Sequence, residues 1–291
     1  MKRIIALILA VLMVFCLCAC GGESPEGADT AAEKTDKGTG NIDASDVTIE
    51  EQVLYDANDI KITATGLEDG LFGTELSLLI ENNSSQNITV QARNANINGY
   101  MVDTMMSADV AAGKKANDSL TFETTSLKEC GIDTIATIEF SFVIIDFDSF
   151  EDIYNTDIIT INTSGAEGYE QTYDDSGEVL AEVNGIKIVS KGLSEKDSFW
   201  GPGLIVYIEN NSDQDITVQT RDVSVNGFMV ETSMSEDVVA GKHAITAVQF
   251  FDTDLEDNGI ETINDLELCF TIFNLESWAD IADTDIINLS F

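Results

Sequence analysis

An internal repeat constrains the fold of this chain more than any other feature. Residues 81–102 read ENNSSQNITVQARNANINGYMV, and residues 209–230 read ENNSDQDITVQTRDVSVNGFMV. The two segments are identical at 14 of 22 positions, and the offset of 128 residues continues without a gap to Phe291, which aligns with Thr163. The chain therefore contains two copies of one structural unit, and a fold assigned to one copy applies to the other.

Alternating apolar residues in each copy predict β-strands. In the first copy, Ile88 and Val90 alternate with polar residues, and this period of two is typical of a half-buried strand. An Asn-Asn-Ser cluster precedes the segment and Asn98-Gly99 follows it. Both are turn sequences, because Asn and Gly tolerate positive φ angles. The second copy repeats each of these features.

The order of strands and turns predicts an all-β protein with two tandem immunoglobulin-like β-sandwich domains. About seven short strands fall in each copy, which is the number that such a sandwich needs. The copies, residues 52–163 and 178–291, each have the length of one independent domain. A segment that ends at Gly131, and its counterpart at Gly259, predicts one helical turn. The Cys-Trp-Cys framework of antibody domains is missing, and a small α+β domain is the alternative fold.

Residues 1–19 have the basic start, short apolar stretch and small residues of a secretory signal, and the stretch is short for a membrane span. Leu17-Cys18-Ala19-Cys20 resembles the lipobox of bacterial lipoproteins. That resemblance implies that Leu17 is at position −3, that Ala19 is at −1, and that Cys20 carries acyl chains such as palmitate at the mature N terminus. Two or more such chains anchor a protein stably. Ordinary secretion with cleavage nearby is the alternative.

Two segments are polar and have no apolar period. Residues 20–51 are rich in Gly, Ala, Ser, Thr, Asp and Glu, and they predict a disordered acidic tether. Residues 164–177 predict a polar linker between the two copies. We therefore expect two domains that are joined by a flexible segment and share no large interface.

The charge of the chain excludes several classes of partner. It has 14 Lys and Arg against 53 Asp and Glu, a formal net charge of −39. Nucleic-acid binding depends on neutralising phosphates, so it is excluded, as is direct docking to anionic lipid. The balance suits a self-repelling surface protein, or one that meets a basic partner or divalent cations.

The sequence predicts no enzyme and no catalytic residue. The chain has a single histidine, His243, interpreted as a surface or packing residue, and it lacks nucleophile-elbow, zinc-protease, P-loop and dinucleotide motifs. Cys130 and Cys269 do not align in the repeat, so we interpret them as free thiols, with Cys269 on the outward side of its strand. An unrecognised enzyme stays as a third functional hypothesis.

Calcium is the main chemical alternative. Asp252, Asp254 and Asp257 lie in an acidic segment, but their spacing does not match an EF-hand loop. Asp252 and Asp254 also align with Thr124 and Ser126, so the first copy has no equivalent site. We therefore predict no metal and no cofactor, and we keep a calcium-responsive acidic sandwich as the alternative function.

Four polar residues that are identical in both copies are the candidate binding face: Gln91, Arg93, Gln219 and Arg221. By strand parity the two arginines point away from the core. They form either a binding face or, in the preferred interpretation, pairs with carboxylates on neighbouring strands. Two aromatic pairs are predicted to be core or loop anchors: Tyr100 with Phe228, and Phe150 with Trp278.

Residues 80–114 and their copy, residues 208–242, resemble immunoglobulin-like domains of unknown function in lipoproteins of Gram-positive bacteria. In those domains a strand ends in an Asn-Asn-Ser-type turn and a polar strand follows. The resemblance implies extracytoplasmic display and no catalytic residues. We therefore predict a surface lipoprotein that a lipid anchors to the extracytoplasmic face of the bacterial cell membrane. It would be a non-catalytic binding or spacer module for a protein or a cell-envelope polymer.

Overall fold

The computed structural model describes residues 47–194 and 202–291. The described residues are nearly all β, with several antiparallel sheets, which confirms the predicted all-β sandwich fold. The predicted signal peptide, the predicted lipidation site Cys20 and most of the predicted tether lie outside the described residues. Both repeats belong to one compact unit.

The two repeats contain the same elements in the same order. The first consists of β1 (Gln52–Ala57), β2 (Ile60–Asp69), β3 (Gly73–Asn82), β4 (Ile88–Ile97), β5 (Tyr100–Met101), β6 (Thr104–Met105), β7 (Ala108–Val110), β8 (Lys114–Glu123), α1 (Thr124–Glu129), β9 (Thr137–Asp146), β10 (Asp152–Asn155) and β11 (Ile159–Asn162). The second consists of β12 (Glu178–Val183), β13 (Ile186–Leu193), β14 (Gly203–Asn210), β15 (Ile216–Val225), β16 (Phe228–Met229), β17 (Thr232–Ser233), β18 (Ser235–Val238), β19 (His243–Phe250), α2 (Asp252–Asp257), β20 (Asp265–Asn274), β21 (Asp280–Asp283) and β22 (Ile287–Ser290).

Each repeat packs two sheets face to face. In the first repeat, one sheet has the strand order β1-β2-β3-β8-β6, and the other contains β10, β9, β4 and β5, with β7 beside β4 and β11 beside β9. The second repeat follows the same plan, with β12, β13, β14, β19 and β17 facing β15, β16, β18, β20, β21 and β22. Alternate residues such as Ile62, Ile80 and Ile88 fill the space between the sheets and are fully buried. Burial of these apolar side chains is the main stabilising contribution.

A buried asparagine in each repeat explains why the Asn-Asn-Ser cluster is duplicated. Asn82 is 0% exposed, and its amide nitrogen donates hydrogen bonds to the carbonyls of Gln86 and Val110 at 2.8 and 2.9 Å. Its amide oxygen accepts from the backbone nitrogen and the hydroxyl of Ser84. Asn210 makes the corresponding four bonds. The side chain therefore ties the turn after β3 to the end of β7, and its counterpart ties β14 to β18.

The predicted Asn-Gly hairpin turns are present in both repeats. Asn98 and Gly99 have φ angles of 52° and 88°, and Asn226 and Gly227 have 52° and 83°. The Asn98 amide donates to the Thr134 carbonyl at 2.7 Å and accepts two backbone N–H groups, and Asn226 bonds in the same way in its own repeat. Each asparagine thus holds its hairpin against the start of the next long strand.

The two repeats share one continuous sheet, so the expectation of no large interface is wrong. Strand β5 of the first repeat pairs in parallel with β19 of the second, and the backbone N–H of His243 donates to the Gly99 carbonyl at 2.9 Å. Val189, Tyr207 and Ile245 of the second repeat belong to or pack against the core of the first. The sequence prediction failed because strand parity places these side chains outward but does not show what covers them; Ile245, for example, aligns with the polar Asn117. We call this contact region the joint.

The predicted linker, residues 164–177, contributes to the joint instead of acting as a free spacer. The hydroxyl of Tyr173 donates to the Asn98 carbonyl at 2.8 Å, and Gln171 accepts from the Asn98 amide at 3.2 Å. The last residues of the predicted tether are also attached: Val47 is 7% exposed, and the backbones of Thr48 and Ser164 are hydrogen-bonded. Tyr173 and Gln171 in the linker, and Val47 in the tether, thus have partners that the polar composition of these segments did not indicate.

Candidate functional site

The predicted binding face is divided between two places. Gln91 and Arg93 lie two residues apart on the outer side of β4, and Arg93 is exposed. Arg93 also lines a cleft of about 820 Å³ between the repeats. Gln219 and Arg221 do not line this cleft. Of the four residues, Arg93 alone lines this cleft.

In the second repeat both residues have side-chain partners, and that of Arg221 is a carboxylate, as in the preferred pairing interpretation. A guanidinium nitrogen of Arg221 lies 3.1 Å from a carboxylate oxygen of Asp283, and both side chains are about half exposed. The Gln219 amide donates to the hydroxyl of Ser235 at 3.1 Å. An exposed ion pair of this kind contributes little to stability. These two residues thus already have partners within their own sheet.

An acidic side chain that the sequence analysis missed lies at the edge of the second sandwich. Glu236 occupies the inward position of β18 that the fully buried Ala108 occupies in the first repeat. Burial raises the pKa of this carboxyl to about 7, while a hydrogen bond with Thr246 lowers it and the charges of Asp103 and Asp237 raise it. The signal in the sequence was a carboxylate aligned with a core alanine.

His243 is a packing residue at the joint, which is one of the two interpretations that the sequence allowed. Its Nδ1 lies 2.7 Å from the Tyr207 hydroxyl, and its ring stacks on Tyr173 with the ring centroids 3.7 Å apart. Burial lowers the pKa of this imidazole, with an opposing contribution from Glu209 and a further lowering from Lys242. The imidazole thus contacts aromatic rings on both sides of the joint and helps to hold the two repeats together.

Both cysteines of the described region are free and buried. Cys130 is 5% exposed, and burial raises the pKa of its thiol to about 12. Cys269 is also 5% exposed, so it is buried although it lies on the outward side of its strand. It lies opposite Arg221 on the neighbouring strand, and the Arg221 side chain pairs with Asp283. Thiols with raised pKa values are poor nucleophiles at neutral pH.

The acidic candidates for calcium lie on the short helix α2. One carboxylate oxygen of Asp254 accepts the backbone N–H of Glu231 at 2.7 Å. Residues 47–194 and 202–291 contain no group of three or more His, Cys, Asp or Glu side chains that could hold a metal ion. Over the same ranges, no helix has both the length and the hydropathy that crossing a bilayer requires.

Three of the predicted aromatic anchors are exposed. Tyr100 is buried at the joint with 1% exposure, but Phe228, its counterpart, is 47% exposed. Phe150 and Trp278 are 80% and 69% exposed, in turns where both adopt positive φ angles. Repeat equivalence predicted the backbone position of these residues and not their burial, since burial at Tyr100 depends on the neighbouring repeat.

Replacing Gly99 with alanine should weaken the joint. Both Gly99 and Gly227 have positive φ angles, so alanine at either position is expected to cost about 1 kcal/mol in backbone strain. At Gly99 the new Cβ would also lie 2.4 Å from the Tyr173 hydroxyl oxygen, whereas at Gly227 it meets nothing within 4 Å. We expect Gly99→Ala to lower the free energy of unfolding by about 1 kcal/mol more than Gly227→Ala, because a buried hydrogen bond is also lost. Urea titrations of the two variants measure this difference, and equal losses would contradict it.

Comparisons with known proteins identify no family for this chain. No protein-family profile matches the chain, and no curated protein matches it significantly. Among solved structures, the chain is similar to the crystal structure of the YadV chaperone at 12% identity and a TM-score of 0.24. That alignment covers 80% of this chain and 100% of the other. A similarity at this level supports no argument about function.

Proposed function

We propose that this protein is a non-catalytic binding or spacer module that a lipid on Cys20 holds at the extracytoplasmic face of a bacterial membrane. The observation that supports this role best is the joint. One sheet runs through both repeats, and Met101 packs into the core of the second repeat while Tyr207 packs into that of the first. A pair of sandwiches connected in this way presents its surfaces in a fixed relative orientation, as a spacer or a binding platform requires.

The use of the duplicated polar residues supports the same role. Asn82 and Asn98, with their counterparts Asn210 and Asn226, bond to backbone groups of their own repeats. These four asparagines are therefore used in folding, which leaves exposed residues such as Arg93 as candidates for binding.

Substitution of Cys20 tests the anchor. In fractionated cells, we expect wild-type protein in the membrane pellet with an acylated N-terminal peptide, and the Cys20→Ala variant should lack the acyl group and leave the pellet. Cys18→Ala is the matched control, because the resemblance assigns no lipid to position −2, and it should fractionate as wild type. A Cys20→Ala protein that remains in the membrane fraction would exclude this anchor.

Crosslinking on the same intact cells tests the binding role. Arg93 is exposed beside the cleft, so Arg93→Glu should reduce crosslinks to a partner that uses the first copy of the predicted face. Crosslinked species that persist unchanged in this variant would place the partner elsewhere, and a complete lack of crosslinked species in wild-type cells would favour the spacer role.

A further inference from the structure

We propose that the exposed end of the second repeat is a docking surface for another β-sandwich domain, one that presents an apolar edge strand with a neighbouring lysine. This surface, which we call the open surface, consists of Asn226, Gly227, Phe228, Met229 and Glu267. The inference names a partner class for the binding role proposed above and rests on that role, but it does not depend on the lipid anchor.

The first argument is that the first repeat already uses the equivalent surface in the joint. Tyr100 and Met101 align with Phe228 and Met229 in the repeat. Tyr100 and Met101 are 1% and 9% exposed, because the second repeat covers them, whereas Phe228 and Met229 are 47% and 67% exposed. Both large apolar side chains are thus kept at an end of the molecule where the described chain provides no cover.

The hairpin turn shows the same difference. At Gly99 a Cβ atom would lie 2.4 Å from Tyr173, which is how closely the joint covers the first turn. At Gly227 a Cβ atom would meet nothing within 4 Å, although the backbone has the same conformation. The second turn therefore has the same backbone conformation as the first, but no described residue within 4 Å covers it as Tyr173 covers the first.

A carboxylate completes the match. In the joint, Glu139 on β9 forms an ion pair with Lys242 of the second repeat. Glu267 on β20 is its counterpart, and it is exposed. It accepts a hydrogen bond from the Ser224 hydroxyl at 3.3 Å, and among the described residues it forms no ion pair. A lysine on the docked domain would supply the missing partner, and charge complementarity of this kind favours association in a strongly acidic protein.

The joint also defines the chemistry of the occupant. The surface that receives the first repeat has Tyr207 on β14, Ile245 on β19 and Lys242 just before β19. An edge strand with such apolar side chains can form backbone hydrogen bonds with the open surface in addition to side-chain contacts. The occupant is therefore a sandwich domain with an open, apolar edge strand.

The first repeat of a second copy does not have this chemistry. Its positions corresponding to Tyr207 and Ile245 hold Leu79 and Asn117, and Asn117 is exposed and polar. In a second copy the β19 edge is already occupied by its own joint. These differences exclude head-to-tail association of the wild-type chain, so the occupant belongs to another protein.

The test converts the first repeat into a receiving surface. A grafted chain carries Leu79→Tyr, Lys115→His, Asn117→Ile and Ser119→Ala, which copy the receiving residues of the second repeat onto partly or fully exposed positions. In sedimentation at micromolar concentration, we expect the wild-type chain to be monomeric and the grafted chain to associate head to tail. Adding Met229→Glu to the grafted chain should weaken this association about tenfold or more, since charge is placed in an apolar contact.

Ile286→Glu in the grafted chain is the matched control, because Ile286 is 64% exposed in the same repeat and lies outside the open surface. It should leave the association unchanged. A folded grafted chain that stays monomeric, or association that Met229→Glu does not weaken, would overturn the proposal. If circular dichroism shows that the grafted chain does not fold, a Met101→Glu variant replaces it. This substitution is designed to break the joint and so free the β19 edge. The variant is mixed with wild-type chain, and sedimentation should show association that Met229→Glu in the wild-type partner weakens. The assay contains no membrane, so a negative result leaves anchoring at Cys20 untouched.

Discussion

Replacing Asn82 with alanine is expected to lower the free energy of unfolding by about 3 kcal/mol. The substitution removes four hydrogen bonds from a side chain with no solvent exposure, and it leaves the Val110 carbonyl and the Ser84 hydroxyl without this partner. A buried polar group without a partner costs about 1–3 kcal/mol. The corresponding Asn210→Ala variant should lose a similar amount, because its bonds have the same geometry.

Asn83→Ala is the control, since Asn83 is the exposed neighbour in the same turn. Surface substitutions of this kind usually change stability by less than about 0.5 kcal/mol. Urea denaturation followed by circular dichroism measures the differences, provided that the slopes of the transitions agree between variants. A loss at Asn82 no larger than that at Asn83 would show that the buried amide does not support the fold.

Glu236 should make the stability of the protein depend on pH. Its folded-state pKa is about 7, above the ordinary value of 4.5, so the folded protein keeps a proton that the unfolded chain has lost. The stabilisation from this proton is fully present below pH 4.5 and is lost as pH rises through 7. A shift of this size corresponds to roughly 3 kcal/mol between pH 4.5 and 8.

The Glu236→Gln variant should keep the neutral hydrogen-bonding group at every pH. We therefore expect it to gain roughly 3 kcal/mol relative to wild type as pH rises from 4.5 to 8. His243 acts in the opposite direction, because its lowered pKa makes stability fall as pH drops below 6.5. Comparing variant with wild type at each pH cancels the contribution of His243. The exposed Glu261→Gln serves as the control, and a constant difference between Glu236→Gln and wild type would contradict the assignment.

Local features of the fold could be predicted from the sequence because they depend on residues near one another in the chain. Asn98-Gly99 predicted a tight hairpin, since only residues that tolerate positive φ angles fit that turn, and both φ angles are positive. The alternation at Ile88 and Val90 predicted the inward face of β4. The repeat then transferred each assignment to the second copy, where the same elements occur in the same order.

Contacts between distant segments could not be predicted in this way. The sequence shows that Asn117 aligns with Ile245, but strand parity gives both the same outward direction and does not identify what covers either one. The ion pair of Arg221 with Asp283 likewise joins two strands that are far apart in sequence. The predicted binding face at Gln91 and Arg93 stays a prediction for the same reason, because its function depends on a partner outside the chain.

The joint is the part of the molecule where we expect the two repeats to separate under a pulling force. The backbones of the two repeats meet in one residue pair, Tyr100 with His243, whereas long strands such as β3 and β8 are paired over ten residues within a sandwich. We therefore expect a pulling force along the chain to separate the repeats before it unfolds either one. The slack released is the segment of residues 164–177, roughly 45 Å when fully extended. We expect such a chain to lengthen by one step while both sandwiches stay folded, and to shorten again when the joint re-forms.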